Sequence, residues 1–397
     1  MQRRLHRRQF LATTAAAAAA IGLAGRRAFA ADPVKIGFIL PMTGQQQSTG
    51  RECSAAVKLF MAQNGDTVAG RKIEVIFKDD AAIPDNTKRI AQELIVNDKI
   101  NMVAGFGITP CALAVAPLAT QAKIPEIVTC AGTSIITERS PYIVRTAFTL
   151  AQSAVPMADW AAQNGVKKVV SMVSDYAPGV DSEVSFKEEF TKKGGQILEA
   201  IRFPLANPDF APFLQRARDA KPDAIFVFVP AGQGAVFVKQ FLERGLDKAG
   251  IKIIGPGDVT DDDVLPRMGD AVIGTVTAHF YSADHGSAAN KAYVAAFEKA
   301  NADMRPNFMS VGGYDGMHLI YEALKKTNGN SDGDALIGAM KGMAWESPRG
   351  PISIDPATRD IVSNIYIRKV EKLNGQLWST EFQTYPNVKD PMKVAAK

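Results

Sequence analysis

Short apolar segments alternate with amphipathic segments of about 10–15 residues after residue 33, and this alternation constrains the fold more than any other feature. The apolar segments of a first series lie at 34–40, 72–78, 102–106 and 126–130, and helical patterns at 51–63, 85–96 and from 111 separate them. Apolar runs bounded by Gly, Pro and polar residues are typical of strands buried on both faces. The pattern therefore predicts a parallel sheet covered by helices.

A second series of the same kind follows. Its strand patterns lie at 168–173, 196–203, 224–229 and 251–254, and its helical patterns at 180–192, 210–218 and 235–244. Two series of similar length predict an α/β protein with two doubly wound, parallel-sheet lobes. The later segments could belong to either lobe: a strand at 271–279, helices at 291–301, 314–325 and 334–343, and a hairpin-like pair at 348–355 and 364–370.

The first 30 residues predict a cleaved export signal of the twin-arginine type. Arg7-Arg8 precedes an apolar run at 11–23, and Ala28-Phe29-Ala30 provides a small-residue cleavage site. The apolar run is shorter than the roughly 20 residues that a membrane-spanning helix needs. No cysteine follows it, which disfavours a lipid anchor. We therefore expect a soluble protein that works in the periplasm.

Charge and cysteine content exclude several classes of protein. The chain has 46 Lys+Arg and 41 Asp+Glu, but six of the arginines lie in residues 1–30, which leaves 40 basic and 41 acidic residues after cleavage. That balance gives no support for nucleic-acid binding. Cys53, Cys111 and Cys130 allow one disulfide at most, and their spacing predicts neither a metal site nor a redox motif.

Two motifs that resemble known sites have simpler interpretations. Gly105-Phe106-Gly107 lies between a strand and a helix, but Pro110 stands where a dinucleotide-binding loop needs a small residue. Amides at that helix N-terminus could instead hold a carboxylate. The acidic run 258–263 lacks the spacing of a calcium loop, and helix capping explains 260–263. Asp258 differs, because it follows a strand end, where open α/β sheets bind ligands.

We predict no metal, no cofactor and no enzymatic activity, since no G-x-S-x-G, H-E-x-x-H or P-loop motif occurs. Residues suited to a small ligand with a polar head group follow several predicted strand ends. The same residue types are also common in ordinary loops between strands and helices. The candidate ligand-binding residues are Gln45, Ser48, Thr109, Cys111, Ala131, Thr133, Tyr176, Gln233 and Asp258.

At this point the chain resembles the leucine/isoleucine/valine-type periplasmic binding proteins of ABC importers. The resemblance rests on 35–44, Lys78-Asp79-Asp80, 174–179, 207–210 and 312–315, and it runs over almost the whole mature chain. It implies two lobes joined by three hinge crossovers, near 145–150, 279–282 and 345–350, with the ligand in the cleft. Lobe 1 would comprise 31–147 and 280–347, and lobe 2 148–279 and 348–397.

The resemblance also implies a division of roles in the cleft. The loops at 109–111 and 131–133 would hold a ligand carboxylate, and Tyr176 would pack on the ligand. The glutamate that holds the amino group in amino-acid binders falls at Gly257, and the tyrosine expected near 231–232 is missing. Both an apolar amino acid and an aromatic acid, such as a benzoate or phenylpropanoid, therefore remain open. Asp258 could hold an ammonium group or a ring hydroxyl.

The resemblance implies a monomeric solute-binding protein that closes on a small hydrophobic carboxylate and delivers it to an inner-membrane ABC permease. Two other classes are open. A ligand-sensing receptor of the same fold would be attached to a membrane-spanning signalling segment, which the sequence does not show. An exported enzyme would suit the twin-arginine route, and a cofactor spectrum would reveal it.

Overall fold

A computed structural model describes residues 32–394 of the chain, so the predicted export signal lies outside the described residues. The strands of this part form two sheets, one of six strands and one of nine. None of the helices between residues 32 and 394 combines the length and apolar character that crossing a bilayer requires.

The first sheet has the strand order β2-β3-β1-β4-β5-β6, and all neighbours are parallel except β2 and β3. Its strands are β1 (Val34–Leu40), β2 (Thr67–Val68), β3 (Arg71–Asp79), β4 (Met102–Gly105), β5 (Glu126–Val128) and β6 (Ile143–Arg145). The helices that connect them are α1 (Gln47–Asn64), α2 (Pro84–Glu93) and α3 (Thr109–Ala122). Six of the seven residues of β1 are buried, as a strand covered on both faces requires.

The second sheet has the order β12-β13-β14-β11-β10-β9-β7-β8, with β15 paired to β14. Its strands are β7 (Lys168–Ser174), β8 (Gln196–Phe203), β9 (Ala224–Phe228), β10 (Lys252–Pro256), β11 (Val276–His279), β12 (Ala344–Ser347), β13 (Gly350–Ile354), β14 (Ile361–Leu373) and β15 (Gln376–Val388). The remaining helices are α4 (Leu150–Gln163), α5 (Ala177–Lys192), α6 (Ala211–Asp219), α7 (Gly234–Glu243), α8 (Ala288–Ala300), α9 (Phe308–Lys326), α10 (Gly333–Met340) and α11 (Pro391–Val394).

We call the first sheet with α1–α3 and α9 lobe 1, because α9 packs along α1. Lobe 2 is the second sheet with α4–α7, since α4 packs on β10, β11 and β14 and α5 packs on α4. The prediction of an α/β protein with two doubly wound lobes is confirmed. The lobe boundaries stay a prediction; β12, the last segment assigned to lobe 1, pairs with β13 in the second sheet.

The strand order places a switch point in each lobe. β1 lies between β3 and β4, and β7 lies between β8 and β9. From each of these two strands the chain runs first to the neighbour on one side and then back to the neighbour on the other side. Ligands of open α/β sheets bind beyond the carboxyl ends of the strands at such points. The two switch points therefore indicate where the site should lie.

The predicted strand at 271–279 was wrong in its first half. Asp270–Val272 forms a 3₁₀ turn and Gly274 has a φ of 89°, so the strand begins only at Val276. The hairpin-like pair is confirmed as the antiparallel strands β13 and β14. The prediction missed β15, which Asn374-Gly375 joins to β14 with both residues at positive φ.

Candidate ligand-binding site

A cavity lies where the carboxyl ends of β1, β4 and β5 face those of β7, β9 and β10 across the two lobes. Its volume is about 20 Å³, little more than one water molecule needs, so the walls of the two lobes lie close together. Loops after these strands supply most of the lining, and the start of α9 and the crossover after β6 supply the rest. The lining residues are Gln46, Gly107, Ile108, Thr109, Cys130, Ala131, Gly132, Phe148, Leu150, Tyr176, Pro178, Phe228, Pro230, Ala231, Asp258 and Met309.

Four of the nine predicted ligand residues line this one cavity, namely Thr109, Ala131, Tyr176 and Asp258. They come from four different loops that are distant in sequence. Thr109 is the first residue of α3, so its backbone N–H has no acceptor within the helix and points toward the cleft side of the sheet. An anion in the cavity would meet that N–H and the positive end of the helix dipole.

Gln45 and Ser48 lie at the rim, where they bridge the lobes. The Gln45 side-chain oxygen accepts a hydrogen bond from the backbone N–H of Asn207 at 3.2 Å. The Ser48 hydroxyl lies 3.3 Å from an Asp263 carboxylate oxygen and donates to it. These two predicted residues therefore hold the lobes together around the cavity and do not line it.

The other three predicted residues lie behind the lining. The Thr133 hydroxyl is 2.7 Å from that of Thr109, so Thr133 supports a lining residue. The Gln233 amide donates to the Leu205 carbonyl at 3.3 Å. Cys111 is fully buried, and burial together with the charge of Asp80 raises the pKa of its thiol to about 12. Such a thiol is neutral and points away from the cavity.

Aromatic side chains form flat apolar walls. Tyr176 stacks on Phe228 in lobe 2, with ring centroids 6.1 Å apart and planes 23° apart. Phe148, from the crossover after β6, packs against Phe280 and Phe308 with centroids 5.0 and 5.6 Å away. Walls of this kind suit a planar ring better than a branched aliphatic chain.

Asp258 provides the acidic group at the lobe 2 end of the cavity. It lies on the 3₁₀ turn Gly257–Thr260 and is 2% exposed, and its Oδ2 has no hydrogen-bond partner among the described residues. Burial raises the pKa of the Asp258 carboxyl to about 7, and the nearby Arg368 guanidinium opposes that rise. A buried carboxylate oxygen without a partner in a ligand cavity is suited to a donor on the ligand.

His279 lies behind Asp258, and its protonation state decides whether Asp258 has a positively charged neighbour there. Its Nδ1 accepts a hydrogen bond from the Phe280 N–H at 3.0 Å, so the ring proton must be on Nε2. That atom lies 3.7 Å from Asp258 Oδ2. Burial lowers the His279 pKa well below its usual value, so the ring is neutral and does not neutralise Asp258.

Arg368 fills the space that a longer side chain at Gly257 would occupy. A Cβ at Gly257 would lie 2.0 Å from the Arg368 Nη2 and 2.2 Å from the His279 ring. The guanidinium is buried and donates to the carbonyls of Tyr281 and Gly257 and to the Thr277 hydroxyl. A glutamate at 257, as in the amino-acid binders, has no room here.

Sequence reasoning missed Arg145, Arg368 and His279. Arg145 donates to the carbonyls of Thr133 and Phe148 at 2.7 and 3.1 Å, which positions the loop that carries Ala131. Nothing in the local pattern distinguishes these residues from ordinary strand residues. The pairing of β11 with β14 brings His279 and Arg368 next to each other behind the cavity, and Arg145 lies on β6 beside β5.

Two α/β lobes that enclose a small cavity at facing switch points, with residues of both lobes in its wall, define a solute-binding protein. Residues 33–376 match the periplasmic binding protein family, so the chain belongs to that family. The predicted resemblance is confirmed, and the chain is similar to proteins that are named as binding proteins.

A Brucella melitensis protein named Leu/Ile/Val-binding protein homolog 6 is 42% identical over 94% of this chain and 97% of its own length. A solute-binding protein of an ABC transporter from Rhodopseudomonas palustris BisB5, solved with 3,4-dihydroxybenzoic acid, is 70% identical. It superposes with a TM-score of 0.90 over 91% of this chain and 99% of that one. A second R. palustris protein, solved with 4-hydroxybenzoate, is 43% identical, with a TM-score of 0.89 over 92% and 100%.

Proposed function

We propose that this chain binds hydroxylated aromatic acids of the hydroxybenzoate class in the periplasm and delivers them to an inner-membrane ABC permease. The arrangement around Gly257 carries the choice between the two ligand classes. A zwitterionic amino acid would bring its ammonium group to Asp258, close to the buried Arg368 guanidinium, in a region of low dielectric. The ammonium group and the guanidinium would repel each other at such a short distance, whereas a ring hydroxyl is neutral and can donate a hydrogen bond to Asp258.

The opposite end of the cavity suits the ligand carboxylate. The N-terminus of α3 offers the Thr109 N–H, and Thr133 orients the Thr109 hydroxyl. Pro110 follows at the second helical position and has no N–H to offer, so Ala131 and Gly132 of the neighbouring loop would supply further amides. The ring would lie between the two polar ends of the cavity, and its faces would contact the aromatic side chains of Tyr176, Phe228 and Phe148.

The bound molecules of the two R. palustris proteins support this proposal, since both combine a carboxylate with at least one ring hydroxyl. We further propose that the twin-arginine signal in residues 1–30 directs export and that the mature protein is a monomer. Gln45 and Ser48 would contribute to closure at the rim, and Gln233 would support the lobe 2 wall through its bond to the Leu205 carbonyl. Closure would use hinges at the three predicted crossovers.

Calorimetry with 4-hydroxybenzoate, benzoate and leucine tests the proposal. A hydrogen bond to a charged group contributes about 1.5–3 kcal/mol, so 4-hydroxybenzoate should bind about 10- to 150-fold more tightly than benzoate. Leucine should not bind. Leucine binding without binding of either aromatic acid would refute the proposed ligand class.

The variant Asp258→Ala tests the role of the acidic group. The variant should reduce the preference for 4-hydroxybenzoate over benzoate to a few-fold. Its affinity for benzoate should be retained, because benzoate has no hydroxyl that could bind Asp258. Asp175→Ala is the matched control, since Asp175 is an exposed carboxylate beside Tyr176. An unchanged preference in Asp258→Ala would show that the hydroxyl is recognised elsewhere.

A further inference from the structure

Carboxyl groups of the two lobes meet at a second place, beside the ligand cavity. Glu52 on α1 of lobe 1 is fully buried, and neither of its carboxylate oxygens has a hydrogen-bond partner in the described part of the chain. It faces Asp261 and Asp263, which lie in the segment after β10 of lobe 2. Both aspartates are buried as well.

The three carboxyl groups are compensated unequally. Asp263 accepts from the Ser48 hydroxyl and pairs with Arg51, each at 3.3 Å. Asp261 accepts only from neutral N–H groups, the Asn307 side-chain amide at 3.1 Å and the Asp263 backbone at 3.5 Å. Glu52 has no cation in contact, and the Asn307 backbone N–H that faces it is neutral. Two acidic groups are therefore left in a dry interface without a matching positive charge.

Other groups around Glu52 do not change this balance. The Tyr281 and Tyr293 hydroxyls are neutral, and burial raises the pKa of both, so neither supplies a positive charge. Arg267 lies 3.7 Å from Asp263 and Arg368 lies 3.5 Å from Asp262, so neither cation is in contact with Glu52 or Asp261. The groups that face Glu52 are Arg51, Asp261, Asp263, Tyr281, Tyr293 and the Asn307 backbone. Those that face Asp261 are Asp258, Asp262, Asp263, Arg368 and the Asn307 side chain.

We propose that closure of the lobes takes up a proton on the Glu52–Asp261 pair, so that ligand binding is coupled to pH. The inference rests on the proposed function and concerns the regulation of the same site. When the lobes separate, Asp261 and Asp263 move away from Glu52 and water enters, so Glu52 can ionise. When they close, the group must be neutral or an uncompensated charge is buried.

The direction of the effect follows from linkage. Burial, reinforced by Asp263 and Asp261, raises the Glu52 pKa well above its usual value in the closed form, and burial also raises that of Asp261. The contribution of the protonated pair to the free energy of closure is complete when the pH is below the ordinary carboxyl pKa. It is lost as the pH rises through the pKa that the pair has in the closed form. Between those two values the ligand affinity should fall by up to about ten-fold per pH unit for each proton taken up.

Calorimetric titration with benzoate between about pH 5.5 and 8, in buffers of different ionisation enthalpy, measures both the dissociation constant and the protons taken up. Benzoate is the probe because it lacks the hydroxyl that would engage Asp258. Proton uptake by the buried Asp258 carboxyl is common to wild type and Glu52→Gln, so the difference between their two profiles measures the Glu52–Asp261 pair. Wild type should take up protons and bind more weakly as the pH rises. Glu52→Gln should take up fewer protons, show a flatter profile, and bind more tightly than wild type at the alkaline end.

Glu126→Gln is the matched control. Glu126 is equally buried, its oxygens also have no partner among residues 32–394, and burial raises its pKa. It lies at the start of β5, at the edge of the sheet opposite the cleft, so closure should not change its protonation. Glu126→Gln should therefore keep the wild-type pH profile. Asp261→Asn serves as the second variant if Glu52→Gln does not fold.

Three results would overturn the inference: no proton uptake by wild type, an unchanged profile in Glu52→Gln and Asp261→Asn, or an equal change in Glu126→Gln. If no aromatic acid binds, the proposed function fails, and closure is measured instead on the ligand-free protein by small-angle X-ray scattering. Wild type should then contract as the pH falls and Glu52→Gln should not change. A pH-independent radius of gyration in wild type would overturn the inference.

Discussion

The substitution Asp360→Asn should destabilise the protein strongly, because it breaks a buried ion pair between the end of β6 and the loop before β14. The Asp360 Oδ1 lies 2.6 Å from the Arg145 Nε, and both side chains are at most 2% exposed. Asp360 also accepts from the Thr137 hydroxyl at 3.0 Å and pairs with Lys393. Removing its charge takes away the carboxylate in direct contact with Arg145 and Lys393 and leaves them only the more distant Asp181 and Asp390.

Loss of one partner of a buried pair costs about 3–5 kcal/mol. Unfolding a chain of this size has an entropy of about 0.75 kcal/mol/K, from about 2.1 cal/mol/K per residue. The melting temperature should therefore fall by about 4–7 °C in differential scanning calorimetry. Since Arg145 also holds the carbonyls of Ala131 and Thr133, weaker binding of 4-hydroxybenzoate should accompany the loss.

Asp270→Asn provides the comparison. Asp270 pairs with Lys372 at 2.8 Å, but its side chain is 65% exposed and that of the lysine 43%. An exposed pair contributes about 0–1 kcal/mol, so the melting temperature should change by less than about 1.5 °C. Equal losses in Asp360→Asn and Asp270→Asn would refute the argument that burial, and not the ion pair itself, sets the cost.

Two further predictions concern Gly257 and the cysteines. Gly257→Ala should lower the affinity for 4-hydroxybenzoate more than the affinity for benzoate in calorimetry, because the new Cβ must displace Arg368 or His279 beside Asp258. Gly338→Ala is the control and should keep wild-type binding, since the space around Gly338 is open. The thiols of Cys53, Cys111 and Cys130 are free and buried, so a thiol reagent should titrate none in the native protein and three in denaturant, whereas a value of one in denaturant would indicate a disulfide.

The sequence predicted the fold well where the pattern is local. Strands β1 and β8 have the predicted bounds, because an apolar run and the polar residues next to it determine where a strand begins and ends. The missed strand β15 was detectable in principle: Asn374-Gly375 is a typical two-residue hairpin turn after a predicted strand. The short strand β6 has three residues and offers no period to detect.

The site was predictable only in part, and the reason is geometric. Loops after strand ends share one edge of a sheet, so Thr109, Ala131, Tyr176 and Asp258 could be assigned to one cleft. Which side chains point into the cleft and which lie behind it depends on the turn of each loop, and for that reason Cys111 and Thr133 lie outside the cavity lining although their loops reach it. Arg368 reaches the site from β14, more than 100 residues after Asp258.

Gly257 and Arg368 together support the proposed aromatic-acid ligand over an amino acid. At 257 a glutamate would offer a carboxylate to an ammonium group, but here glycine leaves room that a guanidinium from β14 fills. The positive charge that the ligand would have supplied is thereby supplied by the protein. Asp258, one position later, is left with a free oxygen and needs only a neutral donor. Hence Gly257→Glu alone should not create leucine binding, because the new carboxylate would pair with Arg368 before any ligand could reach it.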